Sequence, residues 1–197
     1  IAFLHLQFME KTPSLSSIFG FTKFTIFFGF FIVLSSSFTR QVMNFIKDFL
    51  GEKGFLTFVG FVLLACGVLF LFFLIKAQTN LAQRAVFIII ASLGLFLTWQ
   101  IELPAERIHI LEFAALGWLA SRDPFKNKRK IIAVGHVIIF TFFFGFLDEG
   151  FQAILPYRYY DLRDIVFNYL GALWGLMLFL LIYPRQAGRS ATKIPFK

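Results

Sequence analysis

The sequence predicts an all-α protein: a polytopic transmembrane helical bundle of about six spans, with its N- and C-termini cytoplasmic. Three observations predict it. The 197 residues are 58% hydrophobic and 15% charged, with 31 Phe and a mean hydropathy of +0.77, where a soluble domain carries about 25% charged residues. The apolar residues gather in runs, and crossing a hydrocarbon layer takes about 20 of them. The basic residues clump in short segments between those runs. So much Phe, Ile and Leu exceeds what a core of this size can hide, which excludes an ordinary soluble domain and a disordered chain. A single cysteine excludes a disulfide scaffold.

Taken in order, residues 18–38 are apolar apart from Lys23, whose aliphatic stem can reach the membrane surface. This run lacks a small-residue cleavage site, so it is expected to remain as a span and not to be a signal peptide. Arg40, Lys47 and Lys53 are expected to form a first outer loop. Residues 55–75 are the clearest span, without one charge. Residues 85–101, 131–147 and 165–183 are long enough to cross if flanking residues snorkel or the bilayer thins. Residues 104–120 also read as a helix, but with Glu106, Arg107, His109 and Glu112 in the first half. The chain divides into a two-span N-terminal region (1–84), a four-helix transmembrane region (85–183) and a basic tail (184–197).

The net charge of +8 is explained by topology, and no nucleic-acid partner is expected. Arg122, Lys126, Lys128, Arg129 and Lys130 fill one connection; Arg185, Arg189, Lys193 and Lys197 follow the last span. Placing both on the cytoplasmic side obeys the positive-inside rule and puts connections 102–107 and 148–164 outside. The basic residues of the first outer loop run mildly against it. Trp99, Tyr157, Tyr159 and Tyr160 then fall at outer ends, Trp118 and Tyr183 at inner ends, where aromatic belts form.

The acids are distributed oppositely: Glu102, Glu106, Glu112, Asp148, Glu149, Asp161 and Asp164 fall on the predicted outer side. Ionisable groups at bilayer depth normally face one another or a wet cavity. Glu106, His109, Glu112 and Phe113 share one helical stripe, Glu149 and Gln152 are three apart, and Asp161, Asp164, Asn168, Gly171 and Gly175 descend one face. With Arg158, these polar residues form the candidate cluster. Each also has a purely structural reading. Asp161 suits an N-cap and Asp164 a first helical turn. Arg158 and Arg163 can pair with Asp161, Asp164 or Glu149. Gly171 and Gly175, four apart, suit close helix packing, and His136 and Cys66 read as packing residues.

Two motifs carry a resemblance. One is Glu106-Arg107-Ile108-His109-Ile110-Leu111-Glu112-Phe113, followed by Leu116-Gly117. The other is Asp148-Glu149-x-x-Gln152, Pro156-x-Arg158, Asp161-x-x-Asp164, Asn168 and Gly171. Together they resemble the VanZ-like family of bacterial membrane proteins. Phe113 stands where the family usually has Tyr, and Tyr157 where Gly is common; residues 1–84 carry no signature. The resemblance implies a multi-pass protein of the bacterial plasma (inner) membrane, in a family named for a protein associated with resistance to the glycopeptide teicoplanin. It supplies no reaction.

The leading expectation is a cell-envelope protein linked to glycopeptide resistance or envelope homeostasis. Its outward cluster would recognise a headgroup, an envelope precursor or a glycopeptide, with membrane lipids as the other partners. The rival is an intramembrane enzyme acting on a lipid or lipid-linked substrate, using Glu112, Glu149 and His109 for acid–base chemistry. A divalent metal held by His109, Glu149, Asp161 or Asp164 is a variant of that rival; spacing matches no metal or nucleophile motif, and the leading expectation carries no cofactor and no metal. A proton-coupled transporter is the third reading; the halves show no inverted repeat.

Overall fold

The computed structural model describes residues 20–77, 79–102, 104–156 and 162–183. Among them there is no strand. The chain order is α1 (Lys23–Lys76), α2 (Leu81–Gln100), α3 (Pro104–Arg122), the short α4 (Pro124–Asn127), α5 (Lys130–Ile154) and α6 (Leu162–Ile182). By length and composition α1, α2, α5 and α6 can each cross a membrane. Their outward faces carry exposed Phe24, Phe61, Ile89, Phe142 and Met177, the surface a hydrocarbon solvent requires.

α1 departs from the sequence expectation. Residues 39–50 were expected in an outer loop, yet the helix continues through them. The hydroxyls that would favour a turn are turned back on the helix: Ser35, Ser36, Ser37 and Thr39 donate to the carbonyls of Ile32, Val33, Leu34 and Ser35 at 2.8–3.0 Å. The one break is Gly51, at φ 69 and ψ 171, a conformation open essentially to glycine alone.

That break folds α1 back on itself. A straight helix of 54 residues would be about 80 Å long, but both ends of α1 lie against the same corner of the bundle. At its start, the Thr22 amide and Thr25 hydroxyl donate to Asp123 Oδ2 at 2.8 and 3.1 Å. Near its end, Phe73 packs on Trp118, ring centroids 5.1 Å apart. Closer to the bend, Met43 and Ile46 pack with Phe55 and Val59. α1 is thus two antiparallel limbs, residues 23–50 and 52–76, meeting at Gly51.

The remaining helices assemble around α3, which has too many charges to qualify as a span by composition but touches every other helix. α3 and α6 run parallel and nearly in backbone contact. A Cβ on Gly171 would lie 2.5 Å from the Ile110 carbonyl, and one on Gly175 would overlap the Ala114 carbonyl; one on Gly117 would overlap Ala172. Small residues on both helices permit this approach. α5 lies antiparallel against both, with Gly145 between Phe113 and Asn168. The first limb of α1 and the residue two before it cover α5 through Phe30–Phe144 and Phe21–Phe140. The second limb meets α2 and α6 through Phe70, Phe87 and Trp174.

The bundle has two chemically different ends. Lys76, Arg122, Lys126, Lys128, Arg129 and Lys130 lie at the end marked by Asp123, where Lys128 Nζ is 2.6 Å from His136 Nε2. His136 is therefore bonded to that connection, where its sequence position had suggested packing alone. Tyr183 closes the same end by donating to the Phe125 carbonyl at 2.7 Å. The opposite end holds Gly51, the α2–α3 connection and the last turns of α5. α5 runs to Ile154, so Asp148 shares a helix with Glu149 and Gln152, whose three-residue spacing already read as helical, and the connection expected from residue 148 begins later.

Candidate functional site

Three helices bring the polar residues together at the end away from the basic connections. α3 contributes His109 and Glu112, α5 contributes Asp148, Glu149 and Gln152, and α6 contributes Asp164 and Asn168. Asp148, Glu149 and Asn168 have no solvent exposure, and Gln152 and His109 have almost none. Glu112 retains 20% of its side-chain surface, and Glu106, six residues earlier, is half-buried.

Asp148 is the hub. Its Oδ2 accepts from Gln152 Nε2 at 3.2 Å and from Asn168 Nδ2 at 3.4 Å. The same oxygen stands 3.8 Å from His109 Nδ1, which lies 3.5 Å from Glu112 Oε2. Gln152 Nε2 also reaches Glu149 Oε1 at 3.3 Å. One amide thus links the two adjacent carboxylates of α5, and one imidazole links the acids of α3 and α5. Burial of such groups requires these partners, because an unpaired polar atom away from water costs ~1–3 kcal/mol.

The local sequence explains the placement. On α5, Thr141, Gly145, Asp148 and Gln152 follow one buried stripe, so the helix face that packs on α3 and α6 ends in an acid and an amide. On α6, Asp164, Asn168, Gly171 and Gly175 form the matching stripe: polar in its first two turns, small in the next. α3 is pinned nearby. Arg107 Nε donates to the Ile101 carbonyl at 2.6 Å, and its guanidinium lies 5.2 Å from the Trp99 ring centroid. Arg107 therefore braces the α2–α3 connection.

Of the residues singled out from sequence, His109, Glu112, Glu149, Gln152 and Asn168 belong to one connected network. Asp164 is buried one turn before Asn168 on the same face. Arg158 and Asp161 lie outside the described residues. Gly171 and Gly175 lie at the α3–α6 approach. Asp148 was noted from sequence only as an outer acid within a motif, yet it makes most of the connections; its position four before Gln152 on the buried stripe was the available signal.

The network is rich in acceptors. Glu112, Asp148 and Glu149 surround one imidazole and two amides, and Asn168 Oδ1 has no hydrogen-bond partner among the described residues. Such a set receives hydrogen-bond donors or a cation more readily than a phosphate. Among the described residues no group of three His, Cys, Asp or Glu has the geometry to hold a metal ion. Comparison with protein-family models, curated proteins and solved structures gives no match.

Proposed function

We propose that the chain is a VanZ-like protein of the bacterial plasma membrane that binds the donor-rich polar part of an envelope ligand in the His109–Asp148–Gln152 network. The observation that carries this reading is the burial of Asp148 and Glu149 within one polar set contributed by three packed helices. Ionisable residues at such depth are expensive and are kept where they serve a site. Both motifs that resemble the family contribute: the first supplies His109 and Glu112, the second Asp148, Glu149, Gln152, Asp164 and Asn168. The proposed topology has six crossings, counting both limbs of α1 and the sheltered α3. It places the basic end in the cytoplasm and the network toward the outer leaflet, where a glycopeptide or an envelope precursor is encountered.

The test uses a teicoplanin-sensitive bacterial host expressing the full chain. Expression raises the inhibitory concentration of teicoplanin; Glu149→Gln and Asp164→Asn lose that effect at unchanged membrane abundance. No change in susceptibility on expression of the intact chain, or full retention in both variants, overturns the reading.

One observation favours a second reading, an intramembrane enzyme acting on a lipid or lipid-linked substrate. His109 stands between the carboxylates of Glu112 and Asp148, an arrangement that can hold and transfer a proton. Turnover of a radiolabelled envelope lipid by purified chain, abolished in His109→Gln, selects it over simple binding.

A further inference from the structure

A second site lies away from the polar network, near the basic end. The two limbs of α1 do not close against α3 and α6; they leave a crevice of about 580 Å³. Phe28 from the first limb and Phe70 and Phe73 from the second face Trp118 and Phe179 across it. The lining is almost wholly apolar. Leu111 and Cys66 mark one end, while Arg122 and Tyr183 lie at the other, and Arg122 is exposed in the last turn of α3.

From the structure we infer that this crevice holds one acyl chain of an anionic phospholipid, with the headgroup phosphate at Arg122. Three features support that occupant. Between its two ends the wall is apolar and offers ordered water few partners; in a bilayer the available filler is hydrocarbon. The levels of Leu111 and Arg122 are separated by about 16 Å along α3, close to the ~15 Å depth of one leaflet, half the hydrocarbon core. The cation is at the correct end: Arg122 offers a planar fork of donors for a phosphate, and Lys76 lies one turn beyond Phe73 at the same end of the bundle. The site depends only on a membrane setting and not on the function proposed for the acidic network.

The experiment places the full chain in nanodiscs of phosphatidylglycerol and phosphatidylcholine in equal amounts, with a trace of phosphatidylglycerol carrying a photoreactive acyl chain. Crosslinks concentrate on Phe70, Phe73 and Trp118. Ala115→Trp, which fills the crevice from an exposed position on its wall, removes them while helicity and melting temperature stay unchanged. Arg122→Gln leaves the crosslinks in place but lowers the phosphatidylglycerol preference, read by native mass spectrometry, about fivefold, the effect of one basic residue at an anionic surface. Crosslinks spread evenly over lipid-facing residues such as Phe24 and Phe142 overturn the assignment. So does their absence from the crevice, the result expected if a second copy of the chain or residues 1–19 fill it.

Discussion

His109 Nδ1 stands 3.8 Å from the Asp148 carboxylate across the packed faces of α3 and α5. Neither residue is reachable by bulk water, and the same Asp148 oxygen also serves Gln152 and Asn168. One carboxylate oxygen therefore ties all three site-bearing helices together.

Removing that oxygen takes the acceptor from two buried amides and the nearby carboxylate from the His109 imidazole. Asp148→Ala is expected to cost about 2–3 kcal/mol, the scale of hydrogen bonds to a charged group and of stranded buried donors. Asp148→Asn, which keeps the shape and one acceptor, should cost less. Unfolding in detergent, followed by denaturant titration, checks the order; equal stability of Asp148→Ala and the parent chain would show that the amides are satisfied elsewhere.

The α3–α6 approach gives a comparison between two glycines. A Cβ on Gly175 would overlap the Ala114 backbone, whereas one on Gly150 would meet nothing within 4 Å. Gly175→Ala should force the helices apart and destabilise by about 1–3 kcal/mol, as overpacking does. Gly150→Ala should be neutral or stabilising by up to ~1 kcal/mol, because Ala favours a helix interior over Gly. Melting temperatures of the two variants in one detergent decide the matter, and an unaltered Gly175→Ala would argue against the close approach.

The helices were legible in the sequence because hydrocarbon imposes a length: the apolar runs 55–75, 85–101, 131–147 and 165–183 each fall within an observed helix or pass its C-terminal end by one residue. The sharing of faces by Glu106, His109 and Glu112 was legible from helical period alone. Which stripe would meet which was not. Asn168 reaches Asp148 across 20 residues of chain, and periodicity describes one helix at a time. The role of Asp148 was hidden for a similar reason, since its partners come from its own helix and two neighbouring ones. The charges of residues 40–53 suggested a loop, but a charged, amphipathic stretch can remain helical, and only the backbone of Gly51 marks the bend.

The clasp at the basic end was equally invisible to local reading. Asp123 is 101 residues from Thr22, yet it receives both the Thr22 amide and the Thr25 hydroxyl, while Thr22 itself caps the start of α1. Asp123→Ala should release the first limb at that end and cost about 1–2 kcal/mol, combining a lost charge-assisted bond with a weakened cap. Amide hydrogen exchange in residues 22–28 reports it directly: faster exchange there, with protection in α6 unchanged, is the expected pattern. Uniform acceleration throughout the bundle would indicate global loss of stability instead.

The bend at Gly51 controls whether α1 is one long helix or two limbs, and hence how many times the chain crosses the bilayer. At φ 69 and ψ 171 any other L-residue is strained, by ~1–3 kcal/mol. Gly51→Ala therefore opposes the doubling back, while helix propensity rewards straightening. In a Cys66→Ser background, Met43→Cys with Val59→Cys should be bridged within one chain by a short bifunctional thiol reagent, because both residues belong to one packed cluster. Adding Gly51→Ala should lower the bridged yield. In a straight helix the two positions would lie about 24 Å apart, at 1.5 Å per residue, beyond a short linker. An absence of bridging in the parent pair would rule out the two-limbed α1, and with it the apolar crevice that the limbs enclose.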